Sequence, residues 1–477
     1  MNVVPHIPVL RRGRPYVSLD QSAVKDHRSG EILATVSAAN AGIIRKDVLG
    51  IAESRAALKE FSVRDLIDIC AQAGEQFLHR TLPLGEGGSQ SPEQYLVTLS
   101  ATTGLPHVMV RRNMQKIHEA LTRMKTVLNG LTRGLDPAIL DRGYGEQFGT
   151  QISYFPVTHA LGLVMSSNSP GVNSLWLPAI PLKIPVIIKP GRDEPWTPYR
   201  LIQAFIAAGC PAEAFCFYPT DHEGAREILK SCGRALLFGD HNTTRPYAHN
   251  PAVEIHGPGH SKILIGNDQI ERWPEFIDVL AASVSDNGGR SCVNASAIVV
   301  PQFADQIADA LARRLGPIVP TRPEAEDARL CGFADPRLAE SIDAIIEEGL
   351  KTPGAVDVTA SHRNGPRRVV FEGGTYLRPT IVRCDSFAHP LANREFLFPY
   401  ASVVQVPQEQ MLGQIGPSLV VTAITKDVSF SARLLESPLI ERLNLGPINT
   451  LKISWDQPHE GNMFEFLYRR RSIARAP

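Results

Sequence analysis

The chain of 477 residues lacks several features that would settle its class at once. It has no excess charge, since 49 Lys and Arg stand against 49 Asp and Glu. That balance argues against a protein built to hold nucleic acid or an anionic membrane over a broad face, and leaves only a local basic pocket open. No apolar run approaches 18 residues, so no membrane-spanning helix is expected. The opening MNVVPHIPVLRRGRPYVSL has no apolar segment of secretory-signal length ahead of its arginines, and a cytoplasmic location is expected. The seven cysteines, Cys70, Cys210, Cys216, Cys232, Cys292, Cys331 and Cys384, are odd in number and show no CxxC spacing. This fits reduced thiols and disfavours a disulfide framework or a zinc site, so no metal is expected. There is no internal repeat, and no GxGxxG follows an early strand; Gly85, Gly87 and Gly88 fall in a segment read as a loop.

What is present is an ordinary globular composition, 43% hydrophobic and 21% charged, in a chain long enough for two or three domains. The first stretch reads as mostly helical. Residues 62–78 set Leu66, Ile67, Cys70, Ala71 and Phe77 near one helical face, 82–92 reads as a Gly- and Ser-rich loop, and a second helix is expected over 110–131. From about Ile152 the rhythm becomes an alternation of strand and helix. Strands are expected at 161–165, 184–190, 214–219 and 235–239. A short helix is expected in 170–178, and longer ones at 197–209, with Thr197 as its cap, and at 223–233. The alternation restarts after Val253, with strands at 262–266 and 296–301 and helices at 273–285 and 303–315. Such a pattern predicts parallel sheets covered by helices on both faces. Arg469, Arg470 and Arg471 read as a solvated basic end.

Five segments carry residues with chemistry. Asp286-Asn287-Gly288-Gly289-Arg290-Ser291-Cys292 joins an amphipathic helix to a β-branched strand, and its glycines allow a tight turn that presents the cysteine, with Arg290 and nearby amides favouring the thiolate. The alternative is a buried structural cysteine. Ser166-Ser167-Asn168-Ser169-Pro170 lies at the C-terminal end of a parallel strand, where open sheets place ligands; Asn168 can donate to an oxyanion or cap the next helix. Lys189-Pro190-Gly191-Arg192 ends another strand, and its cations can meet a nucleotide or simply be solvated. His256-Gly257-Pro258-Gly259-His260 bridges the two halves; His256 can act as a base or be a satisfied structural histidine. Glu395, in Arg394-Glu395-Phe396-Leu397-Phe398-Pro399, can bond ribose hydroxyls or form a surface ion pair.

In order and spacing these segments together resemble the aldehyde dehydrogenase superfamily over about residues 150–450. The family pattern Asn-x-Gly-x-x-Cys is matched by Asn287, Gly289 and Cys292, Asn-x-Pro by Asn168 and Pro170, and Lys-Pro by Lys189 and Pro190. Glu395 to Pro399 match its Glu-x-Phe-Gly-Pro turn with Leu397 and Phe398 as departures, and 374–380 looks like its Pro-Thr strand. The resemblance implies an α/β fold of two Rossmann-like domains with a small bridging element that pairs subunits as a homodimer or homotetramer. The expected division is 1–135 and 156–252 for the cofactor domain, 253–440 for the catalytic domain, and 136–155 with 441–477 for the bridging element. It further implies that the Cys292 thiolate attacks an aldehyde, that Asn168 and the Cys292 amide hold the oxyanion, and that hydride passes to NAD or NADP. Ser167, Lys189, Arg192, Gly239 and Glu395 would hold that cofactor.

Two departures refine this expectation. The family's water-activating Glu falls at His256, with Glu254 two residues before it, so the resemblance leans to members that transfer the acyl group to or from coenzyme A, with an aldehyde or acyl-CoA as substrate. Hydrolysis with His256 or Glu254 as base is the rival, and a non-catalytic binding or assembly protein on the same fold is a third reading. The Glu that NAD-preferring members carry after Lys-Pro is Arg192, which suits a 2′-phosphate and points to NADP. The family's Gly-Ser-Thr loop is replaced by Gly239-Asp240-His241-Asn242.

Overall fold

The computed structural model of the chain describes residues 4–474, so 1–3 and 475–477 of the outer segments drawn above lie outside the described residues. Two seven-stranded sheets dominate it. The first runs in the order Val253–His256, Arg234–Phe238, Leu161–Val164, Val186–Lys189, Phe215–Phe217, Val9–Arg11, Arg14–Tyr16. Its first five strands are parallel and its last two antiparallel. All four residues of Leu161–Val164 are buried, as expected of a central strand covered on both faces. Helices Trp196–Ala207 and His222–Ser231 follow the strands they connect and bury their apolar sides, among them Leu201, Ile202 and Phe205 on one and Ile228 and Leu229 on the other.

The second sheet runs Ala355–Asp357, Thr380–Cys384, Tyr400–Gln405, Ala297–Val300, Lys262–Ile265, Ser418–Ile424, Ile440–Leu445. It is parallel apart from the Ala355–Asp357 edge. Helix Ala304–Leu315 covers one of its faces with Ile307, Leu311 and Leu315. A third, three-stranded antiparallel sheet joins Tyr144–Gln147, Thr150–Pro156 and Tyr468–Arg471.

Several expectations need correction. Val253–His256 pairs with Arg234–Phe238, Ala235 opposite Val253 and Phe238 opposite His256. The boundary drawn at 253 therefore falls inside the first sheet, and the second sheet starts at Lys262. Ile440–Leu445 closes the second sheet, so the boundary drawn at 441 falls inside one of its strands. Arg469, Arg470 and Arg471 are exposed, as expected of a solvated end, but they form a strand: they pair with Phe155, Tyr154 and Ser153, and the Arg471 guanidinium lies 4.4 Å over the Phe155 ring. The supposed loop at 82–92 holds a small hairpin, Leu82–Leu84 with Gly88–Gln90. The single helix expected over 110–131 is two, His107–Thr122 and Met124–Thr132. The helix at 196 is capped by Glu194, which accepts from the Thr197 amide and hydroxyl at 2.8 and 2.6 Å. Strands Val9–Arg11 and Arg14–Tyr16 lie in a region read as helical; three residues each are too few to show a period of two.

The segment that presents Cys292 follows helix Ile277–Ser285. Asn287, Gly288 and Gly289 take successive left-handed conformations, φ 53°, 64° and 69°. A Cβ on Gly289 would come within 2.3 Å of the Phe398 carbonyl carbon, a backbone atom that cannot swing aside. Gly289→Ala is therefore expected to destabilise the fold by about 2–4 kcal/mol, combining left-handed strain with overpacking. Denaturant unfolding measures this; a loss below about 0.5 kcal/mol, the size of an ordinary surface change, contradicts the turn as described.

Candidate active site

Cys292 is half-buried, whereas the six other cysteines are buried. Its carbonyl oxygen accepts from the Ser261 hydroxyl at 2.9 Å, and Gly259 packs so closely that a Cβ there would lie 2.2 Å from the same oxygen. The motif containing Cys292 and the 256–260 turn, far apart in sequence, thus meet backbone to backbone. Asn168 does not cap the turn that follows it. Its Nδ2 donates across to the Arg290 carbonyl at 2.8 Å, while its Oδ1 accepts from Ser166 Oγ. One amide hydrogen of Asn168 is thereby fixed two residues before Cys292, and the other has no partner among the described residues. Behind this, Asn113 donates to Asn287 at 2.9 Å and accepts from Ser169 at 3.1 Å, and Asn287 donates to Ser291 at 3.0 Å.

Arg290 does not assist the thiolate. Its guanidinium lies 5.1 Å over the Phe333 ring and donates to the Gly332 carbonyl, away from Cys292. Burial pushes the Cys292 thiol up, the carboxylates of Glu460 and Glu395 push the same way, and Lys116 opposes them. Lys116, on helix His107–Thr122, is one of the cations near this cysteine, with Arg442, and burial lowers it to about 8.

His256 occupies the position where the resemblance puts a water-activating base. It is buried, stacked on Phe238 with centroids 4.5 Å apart, and clamped between two carboxylates. Its Nδ1 is 2.5 Å from Glu460 and its Nε2 3.2 Å from Glu254, the second approach poorly aligned for a hydrogen bond. Desolvation opposes the charge on this imidazole, but Glu460 and Glu254 outweigh it and raise His256 to about 9. At neutral pH His256 holds its proton, which argues against its expected role as a base, and Glu254 is spent as a counter-ion.

Glu395 turns inward and accepts from the His260 amide at 2.7 Å; burial raises it to about 8. The nearby Lys262, lowered by burial to about 7, donates to the His260 carbonyl at 2.5 Å and to Ser418 at 3.0 Å. Lys116, Arg442, His459 and Glu460 form the remaining wall, and sequence reasoning missed all four. Glu460 lies 204 positions from His256, and no local pattern joins them.

At the other strand ends, the residues present can receive a dinucleotide. Lys189 is half-buried with no side-chain partner among the described residues, and Arg192 is exposed with only Asp193 within 3.6 Å. Ser167 Oγ accepts from the Asp193 amide at 3.2 Å, which joins the 166–168 and 189–193 segments. Gly239 fits less well: the short helix after it is capped by Asp240, which accepts from the Thr243 amide at 2.9 Å, so a carboxylate rather than a phosphate holds that end.

Two cavities open beside Cys292. The larger, about 380 Å³, includes Lys116, Glu254, His256, Arg442, His459 and Glu460 in its wall. The smaller, about 200 Å³, touches Ser291 and Val293, the residues flanking Cys292, together with Asn113, Lys116, Arg442 and His459. Glu75, His79 and His118, which line neither, bring ligand atoms within 4.8 Å of one another on the outer helices, a grouping the sequence reading did not make. No helix among the described residues is long and apolar enough to cross a membrane.

The family model described as the aldehyde dehydrogenase family matches residues 90–415, more than half of the chain. The chain belongs to the aldehyde dehydrogenase family, which places it among the NAD(P)-dependent aldehyde oxidoreductases. No curated protein matches the sequence. Solved structures that it resembles include aldehyde dehydrogenase C from Pseudomonas syringae, in complex with NAD+ and octanal, at 17% identity and a TM-score of 0.78 over 98% of this chain and 96% of that one. An NAD-dependent aldehyde dehydrogenase from Sinorhizobium meliloti follows at 14% and 0.77 over 100% and 96%. An NAD-dependent benzaldehyde dehydrogenase from Corynebacterium glutamicum stands at 15% and 0.75 over 100% and 98%. At these identities the likeness is one of fold.

The His256 clamp has a consequence for stability. Its folded value lies above the unfolded one, near 6.5, so its stabilisation is complete below about pH 6.5 and is lost as pH rises through about 9. The wild-type melting temperature is expected to fall relative to that of His256→Gln between pH 6.5 and 9.5, by an amount equivalent to roughly 1–3 kcal/mol. Parallel melting curves over that range contradict the clamp.

Proposed function

We propose that the chain interconverts an aldehyde and an acyl thioester on Cys292, and passes the acyl group to or from coenzyme A rather than to water. The Cys292 thiol loses its proton to solvent, and the thiolate adds through sulfur to the aldehyde carbonyl, giving a thiohemiacetal whose oxyanion is met by the free amide hydrogen of Asn168 and the Cys292 N–H; losing one such donor typically costs roughly 3–4 kcal/mol of transition-state stabilisation. A nicotinamide cofactor, which Lys189, Arg192, Ser167 and Glu395 would hold, would supply the acceptor for the hydride that this oxidation releases from the former carbonyl carbon. The remaining acyl thioester is attacked by a second thiol, which takes the acyl group and releases Cys292.

The observation that carries this reading is the fate of the 256 position. His256, protonated between Glu254 and Glu460, has no lone pair to offer water at neutral pH. A thiol, more acidic and more nucleophilic than water, needs less help. Arg192 and Lys189, cationic and without a strong acidic partner, support NADP over NAD, with Ser167 and Glu395 completing the cofactor contacts. The three-stranded sheet of 144–156 and 468–471 is the element we assign to subunit pairing in a homodimer or homotetramer.

The test is reduced-cofactor formation with an aldehyde panel, NADP or NAD, and coenzyme A present or absent. Sustained turnover is expected only with coenzyme A, with a lower KM for NADP. Equal turnover without coenzyme A overturns the thiol acceptor, and an NAD affinity far above that for NADP overturns the role of Arg192.

A further inference from the structure

The smaller cavity is built for a charge. It is lined by Ser291 and Val293, the residues on either side of Cys292, and by Lys116 and Arg442, two cations close enough to Cys292 to interact with its thiol electrostatically. Its wall carries Arg112, Lys116 and Arg442 against a single acid, Asp286, which already accepts from Asn449 Nδ2 at 2.9 Å. Lys116 has no hydrogen-bond or ion-pair partner among the described residues. Its ammonium lies over the turn after Asn168, where a Cβ on Gly171 would come within 3.5 Å of Nζ. Arg442 makes no ion pair with a carboxylate among the described residues, although Glu460 attracts it from farther off. It donates to the Lys452 carbonyl at 2.5 Å and to His459 Nδ1 at 3.1 Å, which leaves several of its N–H groups uncommitted and puts the His459 proton on Nε2, a third donor on the same wall.

An unpaired ammonium in a half-buried wall costs free energy that an apolar tail would increase by removing its water. A carboxylate returns that cost through charge-assisted hydrogen bonds. The carboxylates around the larger cavity form no hydrogen bond to these cations among the described residues: Glu254 and Glu460 face His256, Glu460 reaching Arg442 only by longer-range attraction, and Glu441 is exposed. Resting on the aldehyde-oxidation reading, we infer that the substrate is an oxo acid, an aldehyde whose far end is a carboxylate, and that Lys116 and Arg442, with His459, receive that carboxylate in the cavity beside Cys292.

The test compares succinic semialdehyde with butanal, equal in carbon number, by kcat/KM for the wild type, Lys116→Met, Lys116→Arg and Arg442→Gln. The wild type is expected to favour the oxo acid by about tenfold or more. Lys116→Met and Arg442→Gln should lose most of that ratio, and Lys116→Arg should keep it. A wild-type preference for butanal, or a ratio that Lys116→Met leaves unchanged, overturns the inference. Calorimetric titration with succinate, which needs no turnover, separates the two claims. Succinate binding that is lost in Lys116→Met, in a protein that oxidises neither aldehyde, upholds the anion site and sinks the aldehyde reading. No succinate binding to the wild type overturns the anion site.

Discussion

Everything at the site depends on one backbone junction, the packing of the Cys292 carbonyl against Gly259 with the Ser261 hydroxyl closing on it. That contact joins the turn after Ile277–Ser285 to the link between the two large sheets. It also brings the Phe398–Pro399 turn against Gly289, so three loops from distant parts of the chain share one point. Where these main-chain segments cross, at Gly259 and Gly289, there is no room for a Cβ. A protein interior as dense as an organic crystal transmits any change at such a crossing directly to the neighbouring reactive group.

The electrostatics follow from that crossing. Burial makes the Cys292 thiol reluctant to ionise, and two carboxylates add to the reluctance. The cleft divides its charges. Glu460 and Glu254 share the single charge of His256, and Glu395 is held by the His260 amide beside Lys262, while Lys116 and Arg442 line the cavities. A member of the aldehyde dehydrogenase family whose 256 position is a clamped imidazole has exchanged a base for a structural cation. On the proposed reading, the burden of acyl transfer falls on the incoming nucleophile, and recognition of the substrate falls on Lys116 and Arg442.

The sequence carried the alternation of strand and helix well. Central strands such as Leu161–Val164 and Ala297–Val300 are apolar throughout, and the turns between them hold glycine and proline where the chain bends. Domain limits were less legible, because Val253–His256 alternates like the start of a new unit and only its pairing with Arg234–Phe238 shows that it ends the old one. Asn168 and Cys292 were readable from local motifs, since each sits on a turn at a strand or helix end. Lys116 was not: it lies in mid-helix, and its importance comes from Gly171 and Cys292 packing near it. Glu460, Arg442 and His459 belong to a segment with no periodic signal, and tertiary structure alone brings them to the site. Arg290 shows the converse, a charge beside the cysteine in sequence whose side chain turns to Phe333 and Gly332.

The account stands on Cys292 as the atom that holds the acyl group. Mixing the protein with NADP and succinic semialdehyde or butanal in the absence of coenzyme A, quenching in acid and mapping peptides by mass spectrometry reads this directly. The predicted result is an acyl adduct on the peptide containing Cys292, absent from the other six cysteines, dependent on NADP and discharged when coenzyme A is added before the quench. Cofactor reduction with no adduct on Cys292, or with the adduct on another cysteine, contradicts the account.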